Sequence, residues 1–434
     1  MTTEYDVVIV GGGPGGSTAG ALLARAGRRV LILEKEVFPR FHIGESLLPF
    51  GNDVLKASGA WPKVEAAGFQ PKFGAEFTLG NGSKFNRFWF SKGLVPGYGQ
   101  TFQVERAKFD HILLKHAAES GCDVREGWMA KSVAVNDGGV VVGAASPPRP
   151  AAEIRARWLI DASGRDTFLG RQLQLPKAEL KIPKRIAVYA HFTGVFRNEG
   201  DAAGHITIIR LQDGWFWLIP FAGGKASVGM VRRLDDFQKA EETVEEWFAR
   251  TVAGSLELRN RMRDAQRVGP FYTTSDYTYR YRVLAGPRTL LVGDAGGFVD
   301  PIFSSGVFIA SKSAQMAVAA ILRADAANRP LTEREQRRYT RELQRIMNLY
   351  LDMILMYYDN AAVEVFMNPV ERLGFMQTVA SLLAGNTNRS FPLWWRVQLF
   401  YLLCRLQRSF RIVPRLDFRD AATPAPVACE EALH

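Results

Sequence analysis

Apolar runs and polar or glycine-rich segments follow one another in a regular order near the start of the chain. The apolar run Val7–Val10 predicts a strand, the segment "GGGPGG" after it predicts a tight turn, and the Ala/Leu-rich stretch that follows predicts a helix. A second apolar run, "RVLILE", predicts another strand and ends at Glu34. Strand, turn, helix and strand in this order are typical of a βαβ unit in a parallel sheet.

Two later segments show the same change from an apolar strand to a polar turn. In "LIDASGRDTFLGRQL", Asp161 follows a short apolar strand, and Gly164 and Arg165 come shortly after it. In "RTLLVGDAGGFVDPIFSSGVFIASKSA", a predicted strand ends just before Asp294, and a loop leads into an apolar helix. The carboxylates therefore stand where strands of a parallel sheet end, which is the edge at which such sheets bind ligands.

The stretch "GWFWLIPF" alternates large apolar side chains. Alternate positions of a strand share one face, so Trp215, Trp217 and Ile219 are predicted to form a single bulky surface. On its pattern alone this is a core strand. Residues 331–360 predict a charged helix that turns apolar toward its end and packs across the flanking sheets.

Length and composition restrict the class of protein. A chain of 434 residues is long for one core, since domains run about 100–200 residues, and two or three discontinuous lobes are expected. The three cysteines share no C-x-x-C spacing, so neither a disulfide framework nor a metal site is expected. No signal peptide and no run near the ~18 apolar residues of a transmembrane segment is visible. These features predict a reduced, soluble, cytoplasmic protein.

The net charge of +11 permits acidic partners such as a phosphorylated cofactor or an acidic carrier protein. No nucleic-acid-binding module and no dense Lys/Arg block is recognisable, so nucleic acid is not a predicted partner. A generally basic surface explains the charge equally well. The sequence leaves the oligomeric state open.

The glycines of the first turn have the spacing of a dinucleotide-binding motif. Gly11 permits the tight turn, Gly13 lets the backbone approach a pyrophosphate, and Gly16 allows close packing of helix on strand. The helix start would offer free N–H groups to the anion. Glu34 would accept hydrogen bonds from a ribose hydroxyl, which favours an adenosine without a 2′-phosphate.

Asp161 and Asp294 favour FAD over a nicotinamide cofactor. Asp294 suits a hydroxyl of the ribityl chain, and the following helix start would face the flavin ring. In order and spacing the three segments resemble the class A FAD monooxygenases and their relatives. The resemblance implies an α/β fold: a Rossmann-like FAD-binding domain of the glutathione-reductase-2 type, a β-sheet substrate domain and a helical C-terminal region. The predicted parts are 1–75, 101–175 and 276–330 for the FAD-binding domain, 76–100 and 176–275 for the substrate domain, 331–420 for the helical region, and 421–434 for a disordered tail.

Further segments narrow the resemblance. "FPRFHIGESLLP", "KFGAEF" with Lys72, "FQVERAKFDHILLKHA", the W-x-W-x-I-P pattern at Trp215–Pro220 and the loop "DPIFSSGVFIA" together resemble the flavin-dependent halogenases. The similarity is closer to the branch acting on phenols and pyrroles than to the tryptophan branch. One departure is the pair Gly296–Gly297, where halogenases often carry a bulkier residue.

The resemblance implies a chemistry with roles for named residues. Reduced FAD, supplied by a separate flavin reductase, would react with O2 to a C4a-hydroperoxide, and chloride or bromide would take its distal oxygen to give hypohalous acid. Lys72 would guide the electrophilic halogen to an electron-rich aromatic ring, either free or tethered to an acyl or peptidyl carrier protein. Trp215 and Trp217 would form a barrier to direct reaction at the flavin. Ser305 and Gly306 would bind halide, and Arg40, Arg106, Pro301 and Gly306 would join the other cofactor-binding residues.

Two alternatives remain open at this point. One is an FAD-dependent monooxygenase or an oxidoreductase of the geranylgeranyl-reductase type. The other is a non-catalytic protein that binds FAD without turnover.

Overall fold

The computed structural model describes residues 4–180, 182–369 and 374–419. The predicted tail at 421–434 lies outside these ranges. The strands are β1 Tyr5–Val10, β2 Val30–Glu34, β3 Gln70–Lys72, β4 Gly74–Leu79, β5 Phe85–Trp89, β6 Thr101–Gln103, β7 Asp123–Glu126, β8 Met129–Asn136, β9 Gly139–Ser146, β10 Arg149–Asp161, β11 Arg185–Thr193, β12 Ile206–Leu211, β13 Gly214–Pro220, β14 Ala226–Arg233, β15 Gln266–Ser275, β16 Tyr279–Arg280, β17 Thr289–Leu291 and β18 Gly297–Phe298.

The helices alternate with these strands in the first part of the chain and dominate the last part. They are α1 Pro14–Arg25, α2 Pro49–Ser58, α3 Trp61–Glu65, α4 Arg106–Glu119, α5 Phe168–Gln172, α6 Leu234–Ala240, α7 Val244–Gly254, α8 Leu256–Arg261, α9 Ser305–Ala326, α10 Glu333–Tyr357, α11 Asn360–Met367, α12 Phe375–Leu383 and α13 Phe391–Ser409.

The first sheet has the order β7-β2-β1-β10-β9-β8, with β17 also paired to β10. β1 pairs in parallel with both β2 and β10, so the predicted βαβ unit is confirmed. Every residue of β2 is buried, as expected for a parallel strand covered on both faces. The carboxyl ends of β1, β2, β10 and β17 therefore meet at one edge of the sheet.

The second sheet has the order β15-β11-β14-β13-β12-β4-β5, and all its pairings except β12 with β4 are antiparallel. Its central strand β13 is buried on both faces. Phe216 and Leu218 pack with Trp247 and Phe248 of α7 in one apolar cluster, whereas the alternate positions belong to the main core. The predicted α/β fold with a second β-sheet domain is confirmed.

Helix α10 contacts both sheets, and α9 packs on α1 and α10. α10 begins at a capping box formed by Thr332 and Glu335. Its Tyr339 hydroxyl donates to Leu291 O of the first sheet at 2.7 Å, and its Tyr357 ring contacts Phe77 of the second sheet. Within the described part of the chain, α9 alone is long and apolar enough to cross a membrane, and 56% of its apolar window is buried inside the protein.

Candidate active site

A cavity of about 620 Å³ lies where the carboxyl edge of the first sheet faces the second sheet. This size falls within the ~300–1,000 Å³ of small-molecule and cofactor sites. Most residues selected from the sequence line it: Gly11, Gly13, Glu34, Arg40, Arg106, Trp215, Trp217, Asp294, Pro301 and Gly306. Four others, Gly16, Lys72, Asp161 and Ser305, are not part of its lining.

The three motif glycines have different surroundings. Gly11 has φ +103°, and a Cβ there would lie 2.3 Å from Ala162 O. A Cβ on Gly16 would lie 1.9 Å from Gly11 O, so this glycine permits the close contact of turn and helix. A Cβ on Gly13 would instead project into the cavity, with Arg40 Nη2 nearest at 3.6 Å. Gly11 and Gly16 thus serve the fold, and Gly13 keeps space open at the start of α1.

Glu34 ends β2 with its carboxylate fixed at the cavity edge. Its Oε2 accepts from Gly12 N at 2.7 Å, and its Oε1 accepts from Glu36 N at 2.8 Å. Each carboxylate oxygen has a second lone pair, so both remain able to accept a ligand hydroxyl. This placement is the one expected for a group that binds the adenosine ribose.

Arg106, at the start of α4, is 5% exposed and forms a two-pronged ion pair with Asp110, at 2.6 and 2.8 Å. It also donates to Ile43 O. Burial opposes its charge, but Asp110 keeps the pKa of Arg106 above its usual value. Arg40 shares Asp110, at 3.3 Å. Arg40 also pairs with Glu36 at 3.0 Å, so two carboxylates balance the charge of the two guanidinium groups, whose N–H donors suit phosphate.

The two aspartates predicted to bind the cofactor differ in their surroundings. Asp161 is fully buried, and its carboxylate accepts from Ser163 N at 3.0 Å and Leu169 N at 2.7 Å, so it holds the loop after β10. Cofactor contact by its side chain stays a prediction. Asp294 lines the cavity, and burial raises the pKa of Asp294 to about 6 against the opposing effect of Arg106 and Arg165.

Trp215, Trp217 and Ile219 form one wall of the cavity, as the alternation along β13 predicts. The two indole rings lie 5.7 Å apart between centroids. Trp215 Nε1 donates to Tyr358 OH at 2.8 Å, and Trp217 Nε1 donates to Ser227 Oγ at 3.1 Å. Both rings are therefore fixed in position, and their apolar faces remain for the cavity.

The loop before α9 is connected to this wall. Tyr358 OH donates to Asp300 Oδ2 at 3.0 Å, and Asp300 caps the short helical turn after it by accepting from Ile302 N. Burial raises the pKa of Asp300 to about 6. Ser304, with φ 55°, and Gly306 line the cavity at the start of the 22-residue helix α9, whereas Ser305 is buried. Gly296 and Gly297 are not part of the lining; they pack toward Leu284 and Arg280.

Lys72 lies behind the cavity wall. Only 1% of the residue is exposed, and its Nζ donates to Ser46 Oγ and Leu47 O, both at 2.8 Å. Ser46 lines the cavity, so the amine is one side chain away from it. Burial lowers the pKa of Lys72 to about 7. The Phe90 ring, 5.2 Å from Nζ, is a further neighbour that holds no negative charge.

Comparison with known proteins decides the class of this site. The model of the FAD binding domain family matches residues 4–346. A 1H-pyrrole-2-carbonyl-(peptidyl-carrier protein) chlorinase of Pseudomonas fluorescens is 33% identical, and the match covers 82% of this chain and 84% of the chlorinase. The corresponding brominase of Pseudoalteromonas luteoviolacea is 36% identical over 74% of this chain and 78% of its own length. The chain belongs to the flavin-dependent halogenases.

Solved structures agree with this assignment. The halogenase superposes on the flavin-dependent brominase Bmp2 with a TM-score of 0.82 at 28% identity, covering 92% of this chain and 98% of the brominase. A flavoprotein/dehydrogenase from Cytophaga hutchinsonii gives a TM-score of 0.86 at 29% identity, covering 93% and 99%. The predicted FAD-dependent oxidoreductase class is therefore confirmed.

The residues of the halogenase fit FAD. Space beyond Gly13 at a helix start, the fixed carboxylate of Glu34 and the arginines beside the cavity match a pyrophosphate flanked by a ribose. Two connections were not predicted from the sequence. The Arg106–Asp110 pair has a usable signal, because the residues stand four apart, the spacing at which side chains meet on one face of a helix. The Trp215–Tyr358–Asp300 chain has none, since its members are far apart in sequence.

The glycine geometry makes a testable distinction. Gly13→Val is expected to weaken FAD binding about 100-fold, because the side chain fills space beside the helix start, and to leave the apo fold stable. Gly16→Val is expected to destabilise the apo protein itself, because its Cβ overlaps Gly11 O. FAD titration by fluorescence and thermal unfolding of the apo protein measure the two effects. Equal loss of stability in both variants would contradict the assignment.

Proposed function

We propose that this halogenase transfers chlorine or bromine to an electron-rich aromatic ring through hypohalous acid and Lys72. The observation that carries the proposal is the buried amine of Lys72, joined to the cavity through Ser46. A lysine whose pKa burial lowers to about 7 has a neutral fraction near neutral pH. It can form a bond to electrophilic halogen or, when charged, donate a hydrogen bond to the oxidant.

FAD, when bound and reduced, supplies the electrons that convert O2 and halide into the oxidant. A separate flavin reductase is the proposed source of the reduced form, because the chain has one dinucleotide motif. The loop Ser304–Gly306 is the proposed halide site. A 22-residue helix begins there, and N–H groups at a helix start favour an anion.

The wall of Trp215 and Trp217 supports a reaction whose two steps occur in separate places: the oxidant forms at the flavin, and the ring is halogenated near Lys72. These rings are fixed by hydrogen bonds at their edges and present apolar surface to the cavity. An aromatic substrate is thereby kept from the flavin, and a small oxidant passes on toward Lys72. Arg40, Arg106, Glu34 and Asp294 are the proposed contacts of the FAD, together with Pro301 and Gly306.

The proposed substrate is a phenol or a pyrrole, and the pyrrole is presented on a carrier protein. The names of the chlorinase and brominase relatives specify a pyrrole-2-carbonyl group on a peptidyl carrier protein. The net charge of +11 suits an acidic protein partner. Cytoplasmic localisation remains a prediction.

Turnover with reduced FAD, O2 and a panel of aromatic compounds tests the proposal, with and without bromide or chloride. The expected product is halogenated, and its formation requires halide. A hydroxylated product that is indifferent to halide would instead support a monooxygenase. Tight FAD binding without any turnover would support a non-catalytic binding protein.

The carrier-tethered substrate has its own test. Pyrrole-2-carboxylate loaded on a peptidyl carrier protein is expected to react with a kcat/KM about 100-fold above that of the free acid, because contacts remote from the ring contribute to its orientation. Mass spectrometry of the carrier-bound group measures the product. Equal rates for free and tethered rings would contradict tethering and leave the halogenation chemistry intact.

A further inference from the structure

Glu45 is a buried carboxylate on the wall of the FAD cavity, between β2 and α2. It is 1% exposed and is part of the cavity lining. Its Oε1 lies 2.7 Å from His191 Nε2, whereas its Oε2 is buried and has no partner in the protein. A buried carboxylate oxygen without a partner is costly, so its retention at a cavity wall points to a use for it there.

His191 lies on the far side of Glu45. It belongs to β11, is not part of the cavity lining, and keeps 16% of its side chain exposed. The rings of Phe41 and Phe221 meet it edge-on, at centroid distances of 5.6 and 5.2 Å. When the carboxylate is ionised it can only accept, and Nε2 then carries the proton of the shared hydrogen bond. The pair therefore connects the cavity to a partly exposed imidazole.

The proposed reaction consumes a proton in this cavity. For each turnover, FADH2, O2, halide ion and one proton give FAD, hypohalous acid and water; hypohalous acid and the aromatic C–H then give the halogenated ring and a second water. The tryptophan wall is apolar and cannot supply that proton. Glu45 lines the cavity and His191 is partly exposed, so the pair is placed to carry a proton to it.

We propose that Glu45 and His191 form a proton relay between solvent and the FAD cavity. This inference rests on the proposed function. His191 takes a proton from solvent at Nδ1 and passes its Nε2 proton to Glu45 Oε1, which leaves a neutral imidazole and a neutral carboxyl group. Rotation of that carboxyl group about its Cγ–Cδ bond then moves the protonated oxygen to the position of the oxygen that has no other partner, from which the proton is delivered to the cavity. His191 acts through Glu45 and is a positioning residue in this scheme.

Other charged groups surround the relay. Arg106 of α4, paired with Asp110, and Tyr189 of β11 interact electrostatically with Glu45. Lys72 of β3 donates to Ser46, the residue after Glu45. Of these groups, only His191 forms a hydrogen bond with the Glu45 carboxylate, which distinguishes the relay from its neighbours.

Glu45→Gln and His191→Gln test the relay without changing side-chain length greatly. Enzyme loaded with reduced FAD is mixed with O2 and bromide, and hypobromous acid is captured by a small trap without an aromatic substrate. Glu45→Gln is expected to form it about 100-fold more slowly, the scale of a lost proton transfer. Glu45→Ala leaves space for a small acid, and added formate is expected to restore much of the rate lost in that variant. FAD affinity is expected to stay within about threefold of the wild type, since Gln keeps the shape of Glu.

A measurement on the apo protein is independent of turnover. Infrared difference spectra between the wild type and Glu45→Gln at one pH are expected to show the band of the Glu45 carboxyl group, and the frequency of that band is expected to shift in His191→Gln. In the turnover assay, the double variant is expected to form hypobromous acid no more slowly than Glu45→Gln, because both residues serve one proton path. His116→Gln is the matched control: this buried histidine bonds Ser58 O and is not part of the cavity lining.

The outcomes separate the two proposals. A wild-type protein that makes no hypobromous acid overturns the proposed function. A wild type that makes it, with Glu45→Gln equally fast, overturns the relay alone. A slow Glu45→Gln that has lost FAD affinity, or a slow Glu45→Ala that formate does not restore, shows a structural role and also overturns the relay.

Discussion

Lys72→Met is expected to stop halogen transfer to the aromatic ring, with a loss of about 10³-fold. Methionine matches the length and apolar volume of the lysine stem but has no nitrogen to bind or guide electrophilic halogen. The amine is buried and donates to Ser46, which lines the cavity, so the substitution removes the one group assigned to receive the halogen. Product formation, measured by chromatography with reduced FAD, O2 and bromide, gives the effect.

Lys72→Met should retain the steps that precede halogen transfer. FAD affinity and the release of hypobromous acid to a trap are expected to remain within about threefold of the wild type, because Lys72 does not line the cavity. Lys92→Met is the matched control. This lysine is exposed and lies two residues after Phe90, whose ring is near Lys72. Halogenation that survives in Lys72→Met with normal flavin oxidation would disprove the assignment of Lys72.

The first sheet and its turn could be predicted because their determinants are local. The glycine spacing, the apolar run of β2 and the carboxylate of Glu34 all lie within one βαβ unit, and a fully buried parallel strand requires a continuous apolar run. The face shared by Trp215 and Trp217 is equally local, since alternation along one strand determines it.

The contacts that complete the site could not be predicted, because they join distant segments. Trp215 donates to Tyr358, and Tyr358 in turn donates to Asp300; both contacts require α10 to pack across the second sheet. Glu45 meets His191 across 146 positions of sequence. The position of Asp161 at a strand end suggests a ligand contact; its two oxygens accept from Ser163 N and Leu169 N, which sequence alone did not indicate, and its contact with the cofactor stays a prediction.

The pH dependence of stability gives a second large effect at Lys72. Burial lowers the pKa of Lys72 from 10.5 to about 7 in the folded protein. Between these two values the unfolded chain binds a proton that the folded chain does not, so the free energy of unfolding contributed by Lys72 rises with pH through this window. Below about pH 7 both states are protonated, and the full penalty of burying the charge remains.

Lys72→Met lacks this titration. The difference in unfolding free energy, wild type minus variant, is therefore expected to increase by up to about 5 kcal/mol from pH 7 to pH 10.5, at about 1.4 kcal/mol per pKa unit. Lost hydrogen bonds to Ser46 and Leu47 shift the difference by a constant and leave its slope unchanged. Urea unfolding at several pH values measures that slope, and Lys92→Met should show none. A flat difference for Lys72→Met would mean that the buried amine stays charged, and the neutral nucleophile would then be excluded in favour of hydrogen bonding to the oxidant.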